Sequence, residues 1–237
     1  TASPRALEHN HRLSTLEETA LGVISGNIVR GDMEEFARIA GLKFILNLVL
    51  NEYNEPVFVT AGDPVEAHRF GCEAAARVMA VEVAETADIV IVSPGGAPKD
   101  NTVYQAQKSV KNALRAVRQG GVIIVAAECR EGFGDPVFER WINESASPED
   151  LVRRSKKEFV LGGHKGLFIA QALDKARIFW VSDMEYEEVR HMFFKPFRSL
   201  QEAINSALST AGDRAVIKVI PWGGITVPYA LEPVQRR

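Results

Sequence analysis

The sequence is poor in the features that give a protein away at first reading. It has two cysteines in 237 residues, Cys72 and Cys129, and no CxxC pair. That excludes a disulfide framework and a thiolate metal cluster, and makes a reducing cytoplasm the expected compartment with both thiols buried. No apolar run approaches the roughly 20 residues that cross a bilayer, and no signal peptide opens the chain. There is no excess of one charge: 28 Lys and Arg stand against 31 Asp and Glu, a net charge of -3. Without a global basic field, neither nucleic acid nor an anionic membrane is expected as the main partner. Repeats and low-complexity tracts are absent too, and neither GxxxxGK[ST] nor GxGxxG follows an apolar run, which argues against a nucleotide loop and a nicotinamide-dependent dehydrogenase.

What remains is ordinary globular composition, 46% hydrophobic and 25% charged, enough for one large domain or two small ones. The chain opens on Thr1 and runs almost at once into helix-like sequence, as a truncated or processed product does. From Ser14, STLEE reads as a capping box with Glu17, opening a helix that runs to Gly26-Asn27. Asp32 and Glu35 repeat the signature for a second helix stopped by Gly41. LKFILNLVLNEYNEPVFVTAG reads as a hairpin around a polar turn, and a helix is expected from about Asp63 to Val83. Thereafter the rhythm changes. DIVIVS, VIIVAAE, RIFWVS and AVIKVI are apolar runs separated by helix-like segments, the pattern of a parallel sheet covered on both faces. The fold expected is α/β, a doubly wound parallel-stranded unit over 87–237 preceded by a helical and β-hairpin segment over 1–86.

The most suggestive stretch is SPGGAPKDNTVYQAQKSVKNALRAVRQGG from Ser93, where a strand gives way to a helix. Ligands of open parallel sheets gather beyond such strand ends. Val103, Gln107, Val110, Leu114 and Val117 form a buried stripe at helical spacing, and Gln105 with Lys108 lies off it on a shared flank. Helix-start N–H groups together with a lysine and a glutamine suit a small carboxylate. A solvated flank is the alternative. Glu128 and Arg130 in AECREGFGD and His164 and Lys165 in LGGHKG lie on further strand-end or glycine loops, whose polar groups could converge in one cleft. Taken singly, Glu128 and Arg130 suit an ion pair and His164 a cap or surface site. His9 and His11 are two apart, which does not suit paired zinc ligands on a helix, and are expected to face solvent.

SPGGAPKDNTVYQAQKSVKNALRAVRQGGVIIVAAECREGFGDPVFERW closely resembles the C-terminal domain of the nickel-dependent lactate racemase family. NHRL with GVISGNIVRGDMEEFARIAGLKFILNLVLN resembles the close of that family's N-terminal, cofactor-binding domain. The resemblance covers most of the chain and is strongest from Gly22 to Trp141. It implies racemisation or epimerisation of a 2-hydroxy acid with a nickel pincer nucleotide, which takes the α-hydride and returns it to either face of a planar 2-keto acid. It places Gln105 and Lys108 at the substrate carboxylate and His11 on the nickel, with His9 as the other register. The tethering lysine and the proton-transferring histidines belong, by the same resemblance, to a segment upstream of Thr1. The chain is therefore expected to be a fragment whose partners are that segment and a small 2-hydroxy acid, inactive alone. Its last residues are expected to return to the first domain. The rival reading is a non-catalytic α/β module that binds a carboxylate or nucleotide.

Overall fold

The structure, a computed structural model, describes residues 3–14, 19 and 22–230. It divides into two compact units, Thr1–Ala80 and Val81–Arg237. Glu17 and the last seven residues lie outside the described residues, and with them the expected return to the first domain. Among the described residues no helix is long and apolar enough to cross a membrane.

In the first unit, helix α1 (Pro4–Leu13) is capped by Ser3, whose hydroxyl accepts from the Ala6 N–H at 3.2 Å. Ser14 closes this helix: it sits at the C-cap and its hydroxyl donates to the His11 carbonyl at 2.6 Å, while the STLEE helix start expected from it lies over residues 15–18, outside the described residues. Residues 22–27 form turns, not the expected helix. Helix α2 (Ile28–Ile39) starts at an Asn27 cap, ahead of Asp32, because the Asn27 side chain accepts from the Arg30 N–H. Asp32 is left inside the helix, where it accepts from the Asn10 side chain at 2.8 Å. Gly41, at a φ of +69°, ends the segment as expected. Strands β1 (Ile45–Leu50) and β2 (Pro56–Gly62) pair antiparallel around the polar turn, and Asn51 Oδ1 accepts from the Tyr53 and Glu55 N–H groups inside it. Helix α3 (Pro64–Met79), capped by Asp63, packs on the hairpin. It stops short of Val83, since Ala80–Val83 forms strand β3. This unit buries little: α2 has no buried residue, and Phe36, Ile39, Phe44, Leu46 and Leu48 are all at least half exposed.

The second unit is built on strands β4 (Ala87–Val92), β5 (Val117–Ala126), β6 (Ala176–Val181), β7 (Lys195–Phe197) and β8 (Ile217–Ile220), while β9 (Val227–Ala230) pairs with β3. The five form a parallel sheet in the order β7-β6-β5-β4-β8. DIVIVS, VIIVAAE and RIFWVS are strands covered on both faces because alternate residues enter two cores, whereas AVIKVI forms the edge strand β8, where Ile217 and Val219 stay exposed and the expected cover is missing. Val90, Val92, Ile123, Val125, Ile178 and Trp180 face the larger one. It is closed by helices α4 (Val103–Ala113), α5 (Pro136–Asn143), α6 (Pro148–Lys157) and α7 (His164–Lys175), with α8 (Tyr186–His191) toward the β7 end. Ile89, Val122, Ile124 and Phe179 face the smaller core under α9 (Leu200–Ala211). Helix α4 ends at Ala113, so Val117 is buried in β5 and not on the helical stripe.

The chain winds outward from β4 to β7, then α9 carries it back to β8 beside β4. The loops after β4 and β8 thus leave the sheet at its topological switch point, the usual nucleotide crevice. Here that crevice is filled by the chain itself. In the segment PWGG, the Gly223 N–H donates to the Ser93 carbonyl at 2.7 Å, and the buried Asn112 side chain donates to the Gly223 carbonyl at 2.7 Å. Trp222 lies against Gly95. A Cβ on Gly223 would stand 2.2 Å from Val92 Cγ2 and 3.0 Å from the Ser93 carbonyl oxygen. Gly223→Ala is therefore expected to destabilise the unit by about 1–3 kcal/mol, the range of an overpacked core site. A urea midpoint indistinguishable from the parent's would contradict this packing.

Candidate functional site

The loop from Ser93 is held at its far side by the loop after β5. The Cys129 N–H donates to the Asp100 carbonyl at 2.8 Å, the Glu131 N–H to the Asn101 carbonyl at 2.9 Å, and the Asn101 amide to Glu131 Oε1 at 2.8 Å. Arg130 contributes by donating to Asn101 Oδ1 at 3.5 Å, and it forms no ion pair with Glu128. Cys129 is buried, and burial pushes its thiol up to about 12, so it is a packing residue and no nucleophile. Cys72 is only half-buried, 3.5 Å from a ring nitrogen of His68.

The same zipper alters the expected chemistry of the α4 start. The Val103 and Tyr104 N–H groups donate to the carbonyls of Gly132 and Phe133 at 3.0 and 3.1 Å. Those of Gln105 and Ala106 are taken by Thr102. The first turn thus has its N–H groups engaged, and anion affinity at this helix falls to side chains. Gln105 and Lys108 supply it. Both are exposed, one turn apart, and Lys108 Nζ donates to Gln105 Oε1 at 2.6 Å. The pair presents an ammonium and an amide N–H on one flank, which is the complement of a carboxylate.

The structure adds residues to this flank that spacing did not reveal. Tyr104 is one turn before Lys108, and Lys111 one turn after. Across from them the start of α7 brings Lys165, with Nζ 5.0 Å from the Tyr104 ring centre and 5.5 Å from that of Phe168. Lys111 Nζ lies 5.1 Å from the same Phe168 ring. Burial, then the charges of Lys108 and Lys111, bring Lys165 down to about 8. Burial lowers Lys111 as well, with Arg115 adding to it. Burial and the Asp135 charge raise the Tyr104 phenol, so its ring stays neutral beside the cation. A signal for Lys111 was present in the sequence, since 105, 108 and 111 repeat at three. His164, expected as a cap or surface residue, is buried between the Phe159 and Phe168 rings, and its Nδ1 accepts from the Gly162 N–H at 3.2 Å.

The histidines proposed as ligands lie in the first unit, on α1. His9 is exposed and lines an apolar groove of about 800 Å³ formed with Leu7, Met33, Phe36, Leu42 and Phe44. His11 Nδ1 is 2.8 Å from the Leu7 carbonyl. A carbonyl only accepts, so Nδ1 is the donor in this contact. Among the described residues no three His, Cys, Asp or Glu side chains converge to hold a metal. One imidazole fits a metal that brings most of its ligands with it, and the described residues do not fit one held by protein groups alone.

The second unit is thus a parallel α/β sheet whose switch point is plugged by its own chain and whose α4 flank, beyond β4, is cationic. The chain belongs to the lactate racemase family: residues 82–227 match the lactate racemase C-terminal domain. It is 37% identical over 207 residues to a lactate racemase of Thermoanaerobacterium thermosaccharolyticum, covering 85% of this chain and 48% of that protein. To a lactate racemase of Lactiplantibacillus plantarum it is 28% identical over 220 residues, covering 91% and 52%. The structure of the Thermoanaerobacterium lactate racemase apoprotein matches with a TM-score of 0.87 at 34% identity, over 94% of this chain and 54% of that one. The chain thus spans about half the length of the curated relatives it matches.

Proposed function

We propose that this chain is the C-terminal part of a 2-hydroxy acid racemase or epimerase, acting on lactate or a close relative. The observation that carries the reading is the Gln105–Lys108 pair, set 2.6 Å apart on the exposed flank of α4 in a domain matching the lactate racemase C-terminal domain. Lys108 neutralises the substrate carboxylate and Gln105 fixes its orientation, holding the α-carbon in one place while its configuration changes. His11 is the residue that would hold nickel, with His9 as the other register. In this reading a nickel pincer nucleotide supplies the hydride acceptor and donor. The groups that tether it and move the hydroxyl proton come from a further segment, and the chain alone is inactive. The uncovered apolar side chains of α2 and the hairpin, Phe36, Ile39, Leu46 and Leu48 among them, support a covering segment on the first unit.

The test is racemisation of a 2-hydroxy acid panel by the full-length, cofactor-loaded protein, followed by chiral chromatography. Loss of optical purity for at least one member is expected, and none from the 237-residue chain alone. No turnover of any member with nickel bound overturns the reading and leaves a carboxylate-binding module.

A further inference from the structure

Lys165 is placed where a lysine is hard to keep. It stands in the first turn of α7, where the helix dipole repels a cation. It is half-buried and within reach of the charges of Lys108 and Lys111. Among the described residues none of these three lysines makes an ion pair with a carboxylate. The compensation visible is aromatic: Tyr104 and Phe168 turn their rings to Lys165, and Lys111 shares Phe168. Two ammonium groups on one ring, with a third on the adjoining turn of α4, form a positive cluster that no carboxylate among the described residues pairs directly, Asp135 lying on the far side at Tyr104. Such an arrangement stabilises the fold poorly, and an oxyanion seated in it relieves all three repulsions at once.

We propose that Lys165 is a second cationic contact of the anion corner: a small carboxylate sits between the Lys108 and Lys165 ammonium groups, with Gln105 beside it. This rests on the reading of Gln105 and Lys108 as the substrate corner and extends it to a residue on another helix. The partly desolvated Lys165 gives the stronger contact, because its charge is less screened by water than that of exposed Lys108. Lys111, behind the Phe168 ring, raises the local potential without touching the ligand.

The experiment is calorimetric titration of the 237-residue chain with L-lactate, and with inorganic phosphate as a second oxyanion, on the parent and on Lys165→Met, Lys165→Arg and Lys108→Ala. Lys165→Met is expected to weaken lactate about tenfold or more, the loss of one charged hydrogen bond, while Lys165→Arg stays within about threefold. A pH series separates contact from packing. In the parent, lactate affinity falls as pH rises through about 8, where unliganded Lys165 loses its proton; in Lys165→Arg it does not fall there. The other charged groups facing the cluster, Lys108, Lys111, Arg115 and Asp135, are the same in both chains, so the difference between the profiles reports Lys165. If the Met chain does not fold, this comparison decides alone. Loss of binding in Lys108→Ala, with unchanged affinity in Lys165→Met or matching pH profiles in the parent and Lys165→Arg, overturns this proposal and leaves the substrate corner standing. No saturable heat from the parent chain with lactate overturns both. Tight phosphate with weak lactate overturns the carboxylate assignment.

Discussion

Lys108→Ala in the full-length protein is expected to lower kcat/KM for racemisation by about tenfold or more, the loss of one charged hydrogen bond to the carboxylate. The size follows from what remains on α4. Its first N–H groups are engaged by Thr102, Gly132 and Phe133, so the helix start cannot take over the carboxylate. Gln105 is neutral and loses its own partner when Lys108 goes. The loss should appear mainly in KM if the carboxylate is held equally throughout, and in kcat as well if it must be held more tightly while the α-carbon is planar. Steady-state kinetics in both directions reads the split. An unchanged kcat/KM would remove Lys108 from the substrate.

Trp141→Ala is expected to cost about 3–5 kcal/mol, the range for emptying a core aromatic site. Trp141 on α5 is 1% exposed, and the Arg154 guanidinium lies 4.6 Å from its ring centre. The backbone of Gly163 comes so close that a Cβ there would stand 2.5 Å from the ring. That contact seats the start of α7, which carries Lys165. A chain without the ring should therefore unfold at lower urea, followed by far-ultraviolet circular dichroism, and should also lose part of its lactate affinity. A stability loss under about 1 kcal/mol would show that the cavity collapses and that α7 is seated by other contacts.

The sheet was legible because its physics is local to each strand: DIVIV or RIFWV buried on both faces has to be apolar throughout, and nothing else in a soluble chain needs such short runs. The hairpin was legible for a similar reason, a polar turn between two β-rich runs. Helix starts were less so. Asp32 and Asn27 both have capping side chains, and only the fold decides that α2 starts at Asn27. At the candidate site, Gln105 and Lys108 were readable as one flank of one helix, while Lys165 was readable only as one of several loop groups that could converge, because α7 is brought to α4 by the fold. The N–H groups at the head of α4 misled for the same reason: the carbonyls that take them belong to a loop beyond the next strand.

The plug at the switch point also sets a timetable. Strand β8 is the last of the five to leave a ribosome, yet it pairs with β4, the first, and PWGG follows it. During synthesis the Ser93 loop therefore waits, with β4 an open sheet edge, until the distant end of the domain has been made. Closing the sheet is a late, long-range event, the kind that slows folding most. Gln105 and Lys108 follow that loop on α4, so the nascent domain sets this flank in its final place only when its last strand docks.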